Sequence, residues 1–161
     1  VDALHGLSSL LRNVLNEKKQ IILLEEELSL VRQYLEIETI RFQDRLSVEF
    51  NISEESKKQR LPSLILQPLI ENAVKHGISK FLGKGYIKVT TSVEEDHLSV
   101  EIYNSIPERN QRLQPDGNGI GLINVGERLK KIYGTKAHLE MKPDPEGVSV
   151  RLKIPLVYEE A

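Results

Sequence analysis

The stretch from Tyr86 to Ser105 constrains this chain most. YIKVTTSVEE (86–95) and HLSVEIYNS (97–105) each alternate apolar and polar residues around a short acidic turn. A period of two marks strands with one buried face, and two such runs so closely spaced read as a hairpin. The pattern recurs in AHLEMK (137–142) and VSVRLKIP (148–155), joined by PDPEG, and a further alternating run, LSVEFNIS, spans 46–53. Between these runs lie two helical signals. ILQPLIENAVKHG (65–77) places Ile65, Leu69 and Ala73 at three-to-four spacing. GIGLINVGERLKKIYG (119–134) has Ile123, Leu129 and Ile132 expected inward and Gly134 as its C-terminal stop. The segment ESKKQRLP reads as a polar connection, and Pro62 suits a helix start. Pro68 lacks an amide donor and is expected to kink the helix or mark a restart. The order after residue 45 is β, α, β, β, α, β, β. Hairpins dominate, so the expected fold is α/β: a two-layer sandwich with a mixed sheet and helices on one face.

N-terminal helices precede this unit. LSSLLRNVL (7–15) has helical spacing and is followed by a polar gap, NEKKQ. From Leu24 a longer pattern begins, with Leu24, Leu28, Val31, Leu35 and Phe42 on or near a heptad stripe and Glu25, Glu26, Arg32 and Glu36 off it. This predicts a helix of about five turns. So narrow a stripe suits a bundle or dimer seam. An ordinary helix lying on a sheet is the other reading.

Composition narrows the classes. With 161 residues, 39% apolar and 29% charged, the chain can form one packed domain with a helical appendage. A net charge of −2 argues against nucleic-acid binding through bulk charge. The absence of cysteine removes disulfides and Cys-based zinc sites and is compatible with a reducing compartment. No run of about 18 apolar residues predicts a membrane span, and no signal peptide is visible. The chain opens VDALHG, without an initiator Met, and is expected to be a fragment of something longer.

Three features could carry chemistry. Gly117, Gly119 and Gly121 in DGNGIGL precede a helix, where free amides and the dipole favour an anion such as phosphate. The same glycines also suit a loop that only has to turn. They form neither a Rossmann fingerprint nor a Walker loop, because a polar loop precedes them and no Lys-Ser/Thr follows. Asn104 shares its strand face with Leu98, Val100 and Ile102. There it can bond a base edge, or it can be a satisfied residue where strand becomes loop. Asn72 and His76 are four apart on one helix row, with Lys75 three on from Asn72. An amide oxygen is a hard ligand suited to magnesium, and Lys and His can meet phosphate charge. A helix end, with Gly77 as its stop, explains Lys75 and His76 equally well but does not explain Asn72 beside an apolar row.

LPSLILQPLIENAVKHGI followed by GNGIGLINVGERLKKIYG resembles the ATP-binding domain of sensor histidine kinases, within the GHKL ATPase superfamily. The resemblance is nearest to the LytS-like group of bacterial two-component sensors, with the pattern LQPL-EN-A-KHG and later G-GIGL-N--ERL---YG. It covers about Leu7 to Pro155, and LSSLLR with LEEELSLVRQYLEIETIRFQDRL is similar to the segment such kinases carry between phosphoacceptor and ATPase. It implies the Bergerat (GHKL) ATP-binding fold in residues 46–161. Residues 1–45 would be the rear part of the dimerisation and phosphotransfer helical region. Asn72 would coordinate the Mg2+ that bridges ATP phosphates, and Lys75 and His76 would line the pocket. Residues 106–118 would be the ATP lid, and Gly117, Gly119, Gly121 and Leu122 would face the nucleotide. The implied reaction moves the γ-phosphoryl of ATP to a histidine and then to an aspartate of a response regulator. The implied setting is the cytoplasmic part of a membrane-anchored sensor that dimerises through its helical region.

Three departures accompany the resemblance. Pro68 stands where the wider superfamily has a second Asn, or the Glu base of hydrolysing members; Glu71 faces elsewhere, so strong intrinsic hydrolysis is not expected. Asn104, followed by Ser105 and Ile106, stands where the family often has the Asp that accepts from the adenine amino group, and an amide carbonyl can accept that bond without charge. No Pro-His-Phe-like phosphoacceptor motif precedes LSSLLR, and His5, His97 and His138 fall at positions unsuited to that role.

Overall fold

The computed structural model describes residues 21–80, 83–106 and 120–156. The helix expected over 7–15, His5, nearly all of the expected lid, and Gly117 and Gly119 lie outside the described residues.

The chain enters at a short strand β1 (Ile21–Leu23), followed by helix α1 (Leu24–Phe42) and strand β2 (Leu46–Ile52). A one-turn helix α2 (Glu54–Lys57) and a short strand β3 (Arg60–Pro62) lead to helix α3 (Leu66–Ala73), which continues as a π-helical run, Val74–Ser79. Strands β4 (Gly85–Glu94) and β5 (His97–Ser105) form the hairpin, and helix α4 (Ile120–Tyr133) precedes strands β6 (His138–Pro143) and β7 (Gly147–Pro155). The main sheet has the order β2-β4-β5-β7-β6, with β2 and β4 parallel and the other pairs antiparallel. The mixed sheet of the sequence reading is therefore present.

Alternation explains the layering. Ile87, Val89, Leu98, Val100, Ile102, Leu152 and Ile154 are buried on one face, where α1, α3 and α4 supply the opposing side chains. Residues of the other face carry cross-strand ion pairs, Lys88–Glu49, Arg151–Glu101 and Lys153–Glu94. A charged face turned to water and an apolar face turned to helices make two layers. The stripe Leu24, Leu28, Val31, Leu35 and Phe42 is buried as expected. Within the described residues it packs on α3 and β2, in the same core as the sheet.

Several local expectations change. ESKKQRLP is not merely a connection: Ser53 caps α2 by accepting the Ser56 amide at 3.2 Å, and β3 pairs antiparallel with β1. Pro62 ends β3 and does not open a helix. Pro68 is the third residue of α3, among the first four positions whose amides have no intrahelical acceptor, so the ring neither kinks nor restarts the helix. In α4 the inward row is Leu122, Val125, Leu129 and Tyr133, while Ile123 and Ile132 are 60% and 43% exposed. Gly134 ends α4 with φ +62°, the left-handed conformation expected at a helix stop.

Candidate functional site

Helix α3 and the end of β5 carry most of the candidate residues. Ile65, Leu69 and Ala73 anchor α3 in the core. Asn72 and His76 are half-buried, and Lys75 is exposed. At Val74 the helix changes to i→i+5 geometry and stays so to Ser79, which widens the turn that holds Lys75 and His76. Such π-helical turns occur frequently at functional sites. The widening also means that the four-residue row from Asn72 to His76 is not that of a regular α-helix.

Gly77 is not the stop. It is buried inside the π-helical run, and its backbone lies directly against Asn104. A Cβ at residue 77 would fall 2.5 Å from Asn104 Nδ2 and 2.9 Å from its Cβ and Cγ. Only a hydrogen fits there, so glycine is required by close approach. The structure thus joins two of the three sequence signals at one corner, the helix motif and the strand-end amide. Asn104 is buried, on the same face as Leu98, Val100 and Ile102, and its Nδ2 makes a long 3.5 Å contact to the Ser105 carbonyl. The Ser105 hydroxyl accepts the Tyr86 amide at 2.8 Å, closing the edge of this corner.

Gly121 and Leu122 open α4; nothing lies within 4 Å of a Cβ placed on Gly121, while Leu122 leans on the core. Gly117 and Gly119 precede them, outside the described residues. Among the described residues no group of three or more His, Cys, Asp or Glu could hold a metal ion. Asn72 offers a half-buried amide as the one metal-ligand candidate of the sequence reading.

One buried group was missed. Glu27 of α1 is fully buried, with Oε2 accepting the Leu64 amide at 2.9 Å and Oε1 the Leu66 amide at 3.0 Å. Burial pushes its carboxyl above the ordinary carboxylate value; the amides of Leu64, Leu66 and Gln67 and the Arg128 guanidinium pull the other way. Arg128 of α4 donates to the Ser63 carbonyl, and burial lowers its pKa against the pull of Glu27 and Tyr133. The sequence did carry a signal: Glu27 is three on from Leu24 and four before Val31, a carboxylate on the apolar row.

Two family models match this chain. One, described as histidine kinase, covers residues 1–46. The other, described as histidine kinase-, DNA gyrase B-, and HSP90-like ATPase, covers residues 57–158. The sensor histidine kinase BtsS of Escherichia coli (strain K12) is 35% identical over 153 residues, 92% of this chain and 26% of the relative. The sensor protein LytS of Staphylococcus epidermidis (strain ATCC 35984) is 28% identical over 164 residues, 92% of this chain and 27% of the relative. This chain therefore spans about a quarter of the length of such relatives. The fold is shared with the histidine kinase ThkA in its complex with the response regulator protein TrrA. That match has a TM-score of 0.59 at 21% identity, over 99% of this chain and 50% of ThkA.

Proposed function

This chain belongs to the histidine kinase-, DNA gyrase B- and HSP90-like ATPase family, and on that premise we propose that it binds Mg·ATP for phosphoryl transfer to a histidine. The observation that carries the proposal is the contact between Gly77 and Asn104, which sets the helix motif against a buried amide at the mouth of the sheet. Asn104 would accept from the adenine amino group through Oδ1, with Nδ2 turned to the Ser105 carbonyl. Lys75 and His76 lie on the adjoining turn and would face the phosphates. The glycines at 117, 119 and 121, with Leu122, would allow close approach of backbone amides.

Asn72 would hold magnesium through its side-chain oxygen. That fits an ion that keeps several waters and takes its other oxygens from substrate phosphates. Bound there, the ion would supply charge neutralisation for the transferring phosphoryl group. The chain's own residues orient the nucleotide, and none of them needs to be the nucleophile. The bond from γ-phosphorus to the β–γ bridging oxygen breaks, a bond to an imidazole nitrogen forms, and ADP leaves. The phosphoryl group then passes to a response-regulator aspartate; the fold shared with a kinase solved on its regulator supports this partner.

We assign residues 1–45 to the end of a helical region and 46–161 to the ATP-binding unit; the dimer contact of that region would not use the stripe Leu24–Phe42, which is buried in this chain's own core. The separate family matches to 1–46 and 57–158 support that division. The setting proposed is the cytoplasmic part of a membrane-anchored sensor, of which this chain would be about a quarter; no helix among the described residues is long and apolar enough to span a membrane.

The test is phosphorylation of a supplied upstream fragment containing a Pro-His-Phe motif, with γ-labelled ATP and Mg2+. Acid-labile, alkali-stable label on the fragment is the expected result. ATP binding without that label would favour a serine kinase or ATPase. No Mg-dependent binding at all would leave only a nucleotide-free interaction module.

A further inference from the structure

Helix α3 has no capping residue of its own. Ile65 occupies the N-cap position and supplies no side-chain acceptor. The turn before it is unfavourable, because Leu64 is buried at φ +56°, a conformation that a bulky residue keeps only where its surroundings enforce it. The enforcement comes from other elements. Glu27 of α1 takes the amides of Leu64 and Leu66, and Arg128 of α4 takes the Ser63 carbonyl. At the far end of the run, Arg45, just past α1, donates Nη2 to the Ile78 carbonyl at 3.1 Å. An acid therefore meets the helix start and a cation its end, the signs that the backbone dipole favours. Both grips come from α1 or the residues that end it.

We propose that Glu27 and Arg45 are positioning residues through which helix α1 sets the placement of the helix carrying Asn72, Lys75 and His76, with Arg128 linking the same turn to the helix that follows the glycines. A displacement of α1 is thereby transmitted to the nucleotide site. The ligand half of this inference rests on the ATP reading above; the mechanical half does not.

The test uses the full 161-residue chain. Glu27→Gln keeps the shape but turns an NH2 toward one of the two amide donors. Mg·ATP affinity is measured by calorimetry, and amide exchange by mass spectrometry. The expected result is an affinity loss of about tenfold, because Glu27 holds the backbone at the start of the helix from which the ligand-holding side chains project. Faster exchange should be confined to residues 63–79, with β4 and β5 still protected. Arg128→Gln should give a similar loss, and the double variant less than the product of the two. Wild-type affinity in folded Glu27→Gln, or exchange raised evenly across the sheet, overturns the proposal. Should Glu27→Gln fail to fold, Arg45→Gln decides: about a threefold loss is expected from a charge at a helix end, and an unchanged affinity overturns it. If the unaltered chain binds no Mg·ATP, the ATP reading fails, and exchange over 63–79 alone judges the clamp.

Discussion

Replacing Gly77 by Ala tests the corner on which the site reading depends. On an ordinary exposed helix the change would stabilise the chain by up to about 1 kcal/mol, because alanine loses less backbone entropy. Here the added methyl would sit 2.5 Å from Asn104 Nδ2 and 2.9 Å from Asn104 Cβ and Cγ. The Asn104 Cβ is fixed by a strand paired on both sides, to Ile87 and to Val148, so it cannot rotate away. Overpacking of this kind costs about 1–3 kcal/mol. Because Asn104 Cβ cannot yield, the cost falls in the upper half of that range, about 2–3 kcal/mol; less a helix gain of about 1 kcal/mol, Gly77→Ala should destabilise the chain by about 1–2 kcal/mol, and a domain of this size should then lose about 2–8 °C in melting temperature. The amide should also be displaced, with about a tenfold loss of ATP affinity. Thermal unfolding followed by circular dichroism and nucleotide titration by calorimetry measure the two effects. Asn104→Ala should relieve part of the clash, so the double variant should melt above the temperature expected from adding the single effects. An unchanged or raised melting temperature together with unchanged ATP affinity would mean that Gly77 and Asn104 do not form this corner of the site.

Asn72→Ala should abolish Mg-dependent ATP binding and leave the melting temperature nearly unchanged, since the residue is half-buried; equal titrations of variant and parent in Mg2+ would sink the metal assignment. Leu129→Ala should cost about 2–5 kcal/mol and Ile123→Ser less than about 0.5 kcal/mol, read by urea unfolding; equal costs would place the inward row of α4 wrongly. The Glu27 carboxyl is raised from 4.5 in the folded chain, so the folded state holds its proton more tightly than the unfolded state. Its contribution to stability is therefore present at low pH and falls as pH rises from 4.5 through the raised value. Glu27→Gln should flatten that part of the stability–pH curve; a parallel curve would contradict the shift.

The sheet was legible because one of its faces is dry. Alternation in β4, β5 and β7 follows directly from that, and it placed Asn104 on the buried face. The motif of α3 was legible too, because its core row is a plain three-to-four pattern. The inward face of α4 was not: apolar residues stand on several of its rows, and packing on α3 and β6 selects Leu122, Val125 and Leu129 over Ile123 and Ile132. Strands β1 and β3 are three residues each, too short to show a period. The role of Gly77 depends on Asn104, distant in sequence, so local rules read it as a helix stop. Glu27 stood on an apolar row in plain view. Its meaning depends on the uncapped start of α3, which only the fold brings beside it.

In the proposed function the α3 motif and the end of β5 form one Mg·ATP site. Titration of the isotopically labelled chain with Mg·ATP, followed by backbone amide resonances, tests it most directly. Saturable one-to-one shifts are expected, concentrated at Asn72–Gly77, Asn104–Ser105 and Gly121–Leu122 and lost when EDTA removes the metal. Shifts confined to other surfaces, or none at millimolar Mg·ATP, would contradict it.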